Sequence, residues 1–378
     1  MRTLTGLNPL DGRPIEITVR DGKIHAIHPG RRDEVAWLSA GFVDLQVNGF
    51  GGADVNLDEP NPEEIVSLTK KLLATGVTTF LPTIITAPEE KIIAALRAIA
   101  KARQTNKLVA DSIPFVHIEG PNISPVEGFR GAHAEEHIRP PSLAEFTRWQ
   151  EASGGLVGMV TVSPHYEGVE GYIASLTAMG VHVSLGHTHA SPDQIRGVVD
   201  AGARLSTHLG NGIAGMIPRH INPIWTQLAD DRLTAMFIGD EQHLPGDALK
   251  TMVRAKGVAR SILVSDSVAI AGMPPGIYET PVGGRVELKA SGRLCLAGTE
   301  FLAGAALPLK DGIARTVAMT GISLGESVRM ATENPGRFAG GAGQMRIGMA
   351  ADLVQFTLEK DGQGLRIERV VVRGEEWG

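Results

Sequence analysis

The sequence predicts an α/β protein: a (β/α)8 TIM-like barrel joined to a small β-sandwich domain that both ends of the chain build. Two observations predict this fold. Short apolar runs alternate with segments of helical periodicity along the middle of the chain, and a hairpin pattern occurs at each end. The expected boundaries are 1–40 and 340–378 for the small domain and 41–339 for the barrel.

Each end of the chain predicts a β-hairpin. Alternating apolar and polar residues flank Asp21 and Gly22 near the start, and Asp361 and Gly362 near the end. An Asp-Gly pair between alternating runs favours a tight hairpin turn. Because a lone hairpin is too small to be stable, we expect the two hairpins to complete one domain.

Eight buried strands are predicted in the middle of the chain, because eight apolar runs occur there and most of them end at a polar residue with Gly or Pro close by. Segments of helical period, such as 62–74 and 192–201, separate several of them. Residues 273–300 follow the last run and are expected to form an inserted hairpin. The eight runs are Gly41–Asn48, Val77–Thr83, Ile113–Glu119, Leu156–Ser163, Val181–His187, Arg204–His208, Thr234–Asp240 and Ser261–Asp266.

Composition excludes several classes of function. The formal net charge of the 378 residues is −6, which argues against a nucleic-acid partner, since phosphate binding needs an excess of Lys and Arg. No run of apolar residues is long enough for a membrane span or a signal peptide. Cys295 is the single cysteine, so a disulfide within the chain and a cysteine metal cage are both excluded. We therefore expect a soluble, cytoplasmic enzyme.

The residues at the ends of the predicted strands carry the candidate chemistry, because active sites of (β/α)8 barrels lie at the carboxyl ends of the strands. Glu119, His187, His208 and Asp266 end the third, fifth, sixth and eighth runs. One carboxylate and two imidazoles suffice for a catalytic zinc, which leaves Asp266 free to move protons. Each residue alone also fits a loop hydrogen bond or a helix cap. Their joint occurrence on separate strand ends favours a site.

Several motifs together resemble the N-acetylglucosamine-6-phosphate deacetylase family of the amidohydrolase superfamily. The resemblance extends over nearly the whole chain, and the combination of HxEGP, GHT and THLxN is its specific part. It implies a barrel with a small β-sandwich built from both termini, in agreement with the patterns above. The motifs are GFVDLQVNG at 41–49, HIEGP at 117–121, GAH at 131–133, GHT at 186–188, THLGN at 207–211, Ser265–Asp266 and GMAADL at 348–353.

The resemblance also implies roles for single residues. It places the ligands of one divalent metal ion, expected to be zinc, at Glu119, His187 and His208. Asp266 is expected to be the catalytic acid and base, and His133 is expected to polarise the acetamide carbonyl. The expected substrate contacts are Gln46, Asn211, Gly212, Arg219 and His243.

The first strand indicates a mononuclear site. Many amidohydrolases carry His-x-His there, whereas this chain has Gln46 and Asn48, and neutral amides are poor ligands for transition metals. In similar enzymes an arginine at the position of Arg219 reaches the phosphate of a neighbouring subunit's substrate. We therefore expect a homodimer or a larger homo-oligomer.

The segments expected to contact the substrate depart from the family pattern. Asn211, Gly212 and Ile213 stand where Asn-Ala-Met is usual, and the loop 216–225 differs from the usual members. Glu241 is an acidic residue next to the expected phosphate site, where it would repel a phosphate dianion. Deacetylation is therefore better supported by the sequence than the identity of the sugar phosphate.

The predicted reaction is hydrolysis of the N-acetyl group of N-acetylglucosamine-6-phosphate or a related amino sugar phosphate, with release of acetate. Three alternatives stay open at this point. The chain could hydrolyse another N-acyl or cyclic amide without a phosphate, it could be a barrel enzyme that uses no metal, or it could be a non-catalytic relative that only binds. A complete set of ligands together with Asp266 argues against the last, because a binding module needs no proton shuttle.

Overall fold

The computed structural model of the chain describes residues 1–31, 33–280 and 284–377. Its first part consists of four strands that precede the barrel. The second and third of them pair antiparallel around Asp21 and Gly22, as the hairpin pattern predicts. The four strands are β1 (Arg2–Leu7), β2 (Pro14–Arg20), β3 (Lys23–Pro29) and β4 (Trp37–Ala40).

The middle of the chain alternates strands and helices, and each of the eight predicted runs coincides with one strand of the barrel, although the second strand extends two residues beyond its run. Two short strands, β6 and β7, form a hairpin of their own after the first barrel strand. Two single-turn 3-10 helices, Glu135–His137 and Val258–Arg260, precede α4 and β14. In chain order the other elements are β5 (Phe42–Val47), β6 (Gly49–Phe50), β7 (Ala53–Asp54), α1 (Pro62–Leu73), β8 (Val77–Ile85), α2 (Glu89–Thr105), α3 (Lys107–Ser112), β9 (Val116–Glu119), α4 (Leu143–Ser153), β10 (Val157–Val162), α5 (Val169–Ala178), β11 (His182–Leu185), α6 (Pro192–Asp200), β12 (Leu205–Ser206), α7 (Pro223–Ala229), β13 (Thr234–Ile238), α8 (Gly246–Lys256) and β14 (Ser261–Val264).

The rest of the chain adds an inserted sheet, three helices and the C-terminal strands. Three strands, rather than the single hairpin expected over 273–300, make up the insertion; residues 281–283 of that segment lie outside the described residues. These elements are β15 (Gly276–Thr280), β16 (Gly284–Leu288), β17 (Leu294–Leu296), α9 (Leu309–Thr320), α10 (Leu324–Met330), α11 (Glu333–Gly336), β18 (Leu353–Leu358), β19 (Leu365–Val372) and β20 (Glu375–Trp377).

The eight barrel strands are parallel and lie in the order β5-β8-β9-β10-β11-β12-β13-β14. The first and last strands meet through a parallel bridge between Val47 and Ser267, and the backbone N–H of Asp266 donates to the carbonyl oxygen of Gln46 at 3.0 Å. Both ends of the chain form one seven-stranded sheet in the order β20-β19-β18-β4-β1-β2-β3. The predicted barrel and the small β domain built from both termini are therefore confirmed, while the boundaries at 40 and 340 stay a prediction.

Local sequence explains why the outer helices form and pack. Helix α1 begins after Asn61, whose side chain accepts a hydrogen bond from the backbone N–H of Glu64. Its residues Ile65, Leu68 and Leu72 are buried and recur at helical spacing, so they face the barrel. None of the helices in the described ranges is long and apolar enough to span a lipid bilayer.

The barrel interior is filled by a cluster of side chains that come almost entirely from its strands. Val43 and Leu45 of β5 belong to it, together with Leu81, Met159 and Met236 from three other strands. The helices pack on the outside of the strands through a larger apolar cluster. Because the interior is packed with apolar side chains, the polar residues at the strand ends are confined to one rim of the barrel.

Candidate active site

Four polar side chains sit at the carboxyl ends of four barrel strands. Glu119 is the last residue of β9, while His187, His208 and Asp266 each lie two residues beyond the end of β11, β12 and β14. The last three have positive φ angles of 48°, 26° and 50°. Residues other than glycine rarely adopt this left-handed conformation, and where they do, they cluster at functional sites.

Glu119, His187 and His208 bring one donor atom each to a common point. The Nε2 atom of His208 lies 3.0 Å from Oε1 of Glu119 and 3.1 Å from Nε2 of His187. The Nε2 atom of His187 lies 3.5 Å from the same carboxylate oxygen. Donors about 2.1 Å from a tetrahedral zinc ion would be separated by about 3.4 Å. All three side chains are buried, and the spacing of their donor atoms is compatible with a metal ion.

The charges of this cluster are coupled. Burial alone would raise the pKa of Glu119, but hydrogen bonds from His187 and His208 hold it well below its ordinary value. Burial likewise opposes protonation of His208, yet its hydrogen bond to Glu119 raises its pKa to about 8. Without a metal ion, the cluster therefore keeps an anionic carboxylate that a proton on histidine partly balances.

The ring of His187 is fixed by a hydrogen bond at Nδ1 and by close packing against two glycines. Its Nδ1 atom lies 2.9 Å from the backbone oxygen of Phe129, so Nδ1–H donates to this carbonyl, and the neutral ring would then offer its Nε2 lone pair to a metal ion. Gly212, with a φ of 59°, packs against the ring so closely that a Cβ atom there would lie 2.6 Å from Nδ1. Gly131 approaches the same ring, since its Cβ would lie 3.1 Å from Cε1.

The two amides of the first barrel strand contact the two carboxylates of the site. Gln46 donates from Nε2 to Oε1 of Glu119 at 2.9 Å, and Asn48 donates from Nδ2 to Oδ1 of Asp266 at 2.9 Å. Asn48 lines the cavity described below. Gln46, the expected substrate contact, is instead fully buried, outside the cavity lining and behind Glu119. This position indicates that Gln46 orients the carboxylate of Glu119.

Asp266 is placed to exchange protons. It lines the cavity next to the cluster, and burial, followed by the negative charge of Glu119, raises its pKa to about 7. A carboxyl group with a pKa near neutrality can both accept and return a proton.

His133 lies against the cluster from the loop that follows β9. Its ring is 4.5 Å from that of His187, centroid to centroid, and its Nδ1 atom is 2.7 Å from Oγ1 of Thr86. Burial, followed by the charge of His187, lowers its pKa to about 3, so the imidazole is neutral. Ligand atoms of Glu119, His133 and His187 all lie within 4.8 Å of one another. By distance alone, His133 could be a further metal ligand or a hydrogen-bond donor.

A cavity of about 300 Å³ opens above these residues. Asn211, Gly212 and His243 line it, as expected for substrate contacts, and the inserted sheet adds an apolar wall that includes Val286 and Leu294. Among the described residues that line the cavity, none is Lys or Arg.

The loop after β13 fixes the imidazole ring of His243 through its Nδ1 atom. The Nδ1 atom of His243 lies 2.7 Å from Oδ2 of Asp240, and this carboxylate also accepts from the backbone N–H groups of Gln242 and His243. Burial opposes ionisation of Asp240, but the hydrogen bond with His243 lowers its pKa. Glu241 forms an ion pair with Arg315, whose Nη1 atom is 3.3 Å from Oε2. This pairing offsets the repulsion of phosphate that the sequence predicts for Glu241.

Arg219 is exposed and does not line the cavity of its own chain. Its backbone oxygen accepts a hydrogen bond from Nε1 of Trp225 at 3.2 Å. This bond fixes the backbone of the segment and does not orient the guanidinium group of Arg219. The same segment exposes three apolar side chains: Met216 is 93% exposed, Ile221 70% and Trp225 51%.

Thr86 and the backbone oxygen of Phe129 are site groups that sequence reasoning missed. Thr86 is separated from His133 by 47 residues, and Phe129 from His187 by 58. No motif in the sequence signals either pairing, because each depends on how the loop after β9 folds over the rim of the barrel.

Comparison with known proteins supplies independent evidence on the chain. No protein-family model matches it. The chain is 30% identical over 353 residues to the N-acetylglucosamine-6-phosphate deacetylase of Bacillus subtilis, an alignment that covers 89% of this chain and 87% of that protein. It is also 30% identical to the N-acetylgalactosamine-6-phosphate deacetylase of Escherichia coli, with coverage of 99% and 97%.

Solved structures agree over the full length of the fold. The crystal structure of N-acetyl-D-glucosamine-6-phosphate deacetylase from Mycobacterium smegmatis superposes with a TM-score of 0.87 at 29% identity and covers 100% of both chains. A mutant of that enzyme in complex with N-acetyl-D-glucosamine-6-phosphate superposes with a TM-score of 0.86 at 29% identity, covering 98% of this chain and 97% of the other.

Proposed function

The chain belongs to the N-acetylglucosamine-6-phosphate deacetylase family of the amidohydrolase superfamily, and we propose that it removes the N-acetyl group of N-acetylglucosamine-6-phosphate, releasing acetate. One observation carries the proposal. Three metal-type donors converge beside Asp266 and His133 at the floor of a cavity that holds about 300 Å³. This is the set of groups that hydrolysis of an amide requires.

We propose that Glu119, His187 and His208 hold one divalent metal ion per chain and that this ion is zinc. Nitrogen and carboxylate donors at this spacing suit zinc, and a three-residue set leaves a position open for water or substrate. Gln46 and Asn48 support a mononuclear site, because their amides already donate to the two carboxylates. Such an ion would lower the pKa of a water molecule and polarise the acetyl carbonyl.

Asp266 is the proton carrier of the proposed reaction. In its ionised form it accepts a proton from the attacking water as the C–O bond forms at the acetyl carbonyl carbon. Asn48 holds Oδ1 of Asp266 in place during this transfer. The same carboxyl group then gives its proton to the sugar nitrogen as the C–N bond breaks, so the amine leaves as a neutral group rather than as an amide anion.

His133 stabilises the negative charge that develops on the carbonyl oxygen. The ring is neutral and lies beside the metal donors, so a hydrogen bond from the imidazole reaches the reacting group without introducing a further cation. A preorganised donor of this kind acts mainly on the transition state.

We infer that the substrate carries a phosphate. The side chain of His243 and the segment around Asn211 and Gly212 offer hydrogen-bond donors at the cavity. Arg219 would add a guanidinium from a neighbouring subunit, within a homodimer or larger homo-oligomer. Met216, Ile221 and Trp225 support such an assembly, because all three are large, exposed apolar side chains on the segment of Arg219, and exposed apolar surface is typical of interaction sites.

A second candidate substrate is N-acetylgalactosamine-6-phosphate. The relative from Escherichia coli that carries this activity in its name is as similar as the Bacillus subtilis relative. Acetate release should be measured with both sugar phosphates and with unphosphorylated N-acetylglucosamine, before and after removal of the metal by a chelator. We expect a phosphorylated sugar to be the better substrate and activity to return with zinc. Equal rates with and without the phosphate would favour a different N-acyl substrate.

A further inference from the structure

In the part of the chain that the structure describes, the hydroxyl group of Thr86 is the one group hydrogen-bonded to Nδ1 of His133. Thr86 directly follows β8, and its Oγ1 atom lies 2.7 Å from Nδ1 of His133. Both side chains are buried, with exposed fractions of 5% and 7%. This contact leaves Nε2 as the nitrogen of His133 that is available to the cavity.

A count of donors and acceptors decides which atom carries the proton. A threonine hydroxyl has one hydrogen to donate, and a neutral imidazole has one N–H and one lone pair. Within the described part of the chain, the Oγ1 atom of Thr86 forms one hydrogen bond, and its partner is Nδ1 of His133. Gly120 packs directly against the same hydroxyl group, since a Cβ atom on this residue would lie 2.2 Å from Oγ1.

The two possible arrangements differ in cost. If Nδ1 carried the proton and donated to Oγ1, the hydroxyl hydrogen of Thr86 would be buried without an acceptor. An unsatisfied buried donor is unfavourable. If the hydroxyl donates to Nδ1, its hydrogen is used, and the ring hydrogen lies on Nε2, which faces the cavity, where water or a substrate can accept it.

We propose that Thr86 sets the tautomer of His133: its hydroxyl donates to Nδ1, so the ring proton resides on Nε2 and points into the cavity. Thr86 is thus a positioning residue that acts through His133. Its catalytic consequence rests on the proposed function, in which Nε2–H donates to the acetyl carbonyl oxygen.

The same tautomer decides between the two roles that distance leaves open for His133. A metal ligand must present a lone pair, and a protonated Nε2 has none. His133 is therefore a hydrogen-bond donor beside the metal cluster, and Glu119, His187 and His208 remain the ligand set. His187 shows the opposite arrangement, since its Nδ1–H donates to the backbone oxygen of Phe129 and its Nε2 is free to ligate.

The tautomer can be read directly by ¹⁵N NMR of zinc-loaded protein labelled at its histidine rings. The chain has 12 histidines, so the signals of His133 are assigned by their loss in His133→Asn. We expect a protonated Nε2 and an unprotonated Nδ1. The opposite pattern would overturn the proposal. This measurement needs no substrate, so it stands even if the chain does not hydrolyse an amino sugar phosphate.

Two variants of Thr86 test the consequence. Thr86→Val removes the hydroxyl at nearly constant shape, and Thr86→Ser keeps it. Thr86→Val should keep its zinc, shift His133 toward the other tautomer and lower kcat by roughly tenfold to 100-fold with little change in KM, because a transition-state donor is lost. Thr86→Ser should retain the wild-type tautomer and most of kcat.

Thr69→Val is the matched control, because Thr69 is a fully buried threonine on α1 that does not line the cavity and whose hydroxyl donates to the backbone oxygen of Ile65. It should leave kcat unchanged. Loss of zinc from folded Thr86→Val would show that His133 is a ligand, and an unchanged kcat would show that Thr86 does not act through His133. Either result overturns the proposal, and if Thr86→Val does not fold, the tautomer of the wild-type protein decides.

Discussion

The side chain amide of Gln46 and the carboxylate of Glu119 share a hydrogen bond of 2.9 Å in the interior of the barrel. The oxygen that accepts it, Oε1, also lies 3.0 Å from Nε2 of His208. One carboxylate oxygen is thus fixed by an amide on one side and an imidazole on the other. Gln46 is therefore placed to orient Glu119, one of the three proposed metal ligands.

Replacement of Gln46 by methionine should weaken metal binding. The methionine side chain has similar length but no N–H, so Glu119 loses a donor that fixes its orientation. We expect the affinity for zinc to fall by roughly 10- to 100-fold, as is typical when an outer partner of a ligand is removed. Competition with a chelator measures this change. Gln104→Met, on the exposed surface of α2, is the control, and equal affinity in the two variants would exclude the orienting role.

The protein should bind one divalent ion per chain. Glu119, His187 and His208 form one convergent set of donors, while the amides of Gln46 and Asn48 are occupied by the two carboxylates. Elemental analysis of purified protein, after dialysis against buffer without metal, gives the stoichiometry. Two tightly bound equivalents, with Gln46 or Asn48 as direct ligands in a crystal structure, would contradict the mononuclear site.

Asp266→Asn should keep the metal and lose turnover. The amide is nearly isosteric and, like aspartate, tolerates the positive φ of 50° at this position, so the fold should be retained. It cannot accept the proton of water, and removal of a general acid and base lowers kcat by about 100-fold or more. Steady-state kinetics and metal analysis test both parts. Asp193→Asn, an exposed aspartate at the start of α6, serves as the control; near-normal kcat in Asp266→Asn would reduce Asp266 to a structural residue.

Arg219→Ala should weaken binding of the phosphorylated substrate alone. A guanidinium offers a phosphate two parallel charge-assisted hydrogen bonds, worth roughly 1.5–3 kcal/mol. The KM for the 6-phosphorylated sugar should therefore rise by about 10- to 150-fold, while hydrolysis of the unphosphorylated sugar stays the same. Arg13→Ala, an exposed arginine of the terminal sheet, is the control. Since Arg219 does not line its own cavity, the mass of the active species should also be measured; a monomer that needs Arg219 would contradict action across subunits.

Asp44 should make stability depend on pH. It is fully buried on β5 and accepts a hydrogen bond from the backbone N–H of Ser265 at 3.1 Å, which links the first and last parts of the barrel. Burial, opposed by the hydrogen bonds from Ser265, raises its pKa from 3.8 to about 6. Between these values the folded chain holds a proton that the unfolded chain has released. The contribution of Asp44 to the free energy of unfolding therefore falls as pH rises from about 4 to 6, by on the order of 3 kcal/mol, and is constant above that.

The difference in the free energy of unfolding between wild type and Asp44→Asn isolates this contribution from those of other carboxyl groups. Denaturant unfolding at several pH values should show the difference changing over the stated window and remaining flat at higher pH. A difference that does not vary with pH would mean that Asp44 has an ordinary pKa in the folded chain.

The sequence could predict the barrel and the positions of the main site residues because both depend on simple regularities. Each of the eight apolar runs overlaps one strand, and parallel strands bring their carboxyl ends to one rim. Glu119, His187, His208 and Asp266 follow from that rule, together with their residue types. The large separations between these residues along the chain do not hinder the prediction, because the strands of the barrel lie in the same order as in the sequence.

Other features depend on packing that no local pattern encodes. Helix α5 has Gly171 in its first turn and only weak amphipathic character, so its sequence signals a helix only weakly. The position of Gln46 behind Glu119 rather than in the cavity depends on the direction of one side chain within β5. Similarly, Val286 pairs with both Tyr278 and Leu296, so the insertion has three strands, whereas the sequence of 273–300 predicts only the two strands of a hairpin.

The seven-stranded sheet combines strands from both ends of the chain, and this affects the order in which the protein folds during translation. Strand β4 pairs with β1 on one side and with β18 on the other, and Arg2 lies 3.6 Å from Glu376. One edge of β4 therefore finds its partner only in strands that are synthesised after the barrel. A ribosome-bound chain that ends before β18 would display β4 with an open edge while the eight-stranded core is already complete. Such an edge is a template for strand pairing with other chains. The interval between synthesis of β4 and release of β18 is therefore the period in which this protein is most exposed to aggregation.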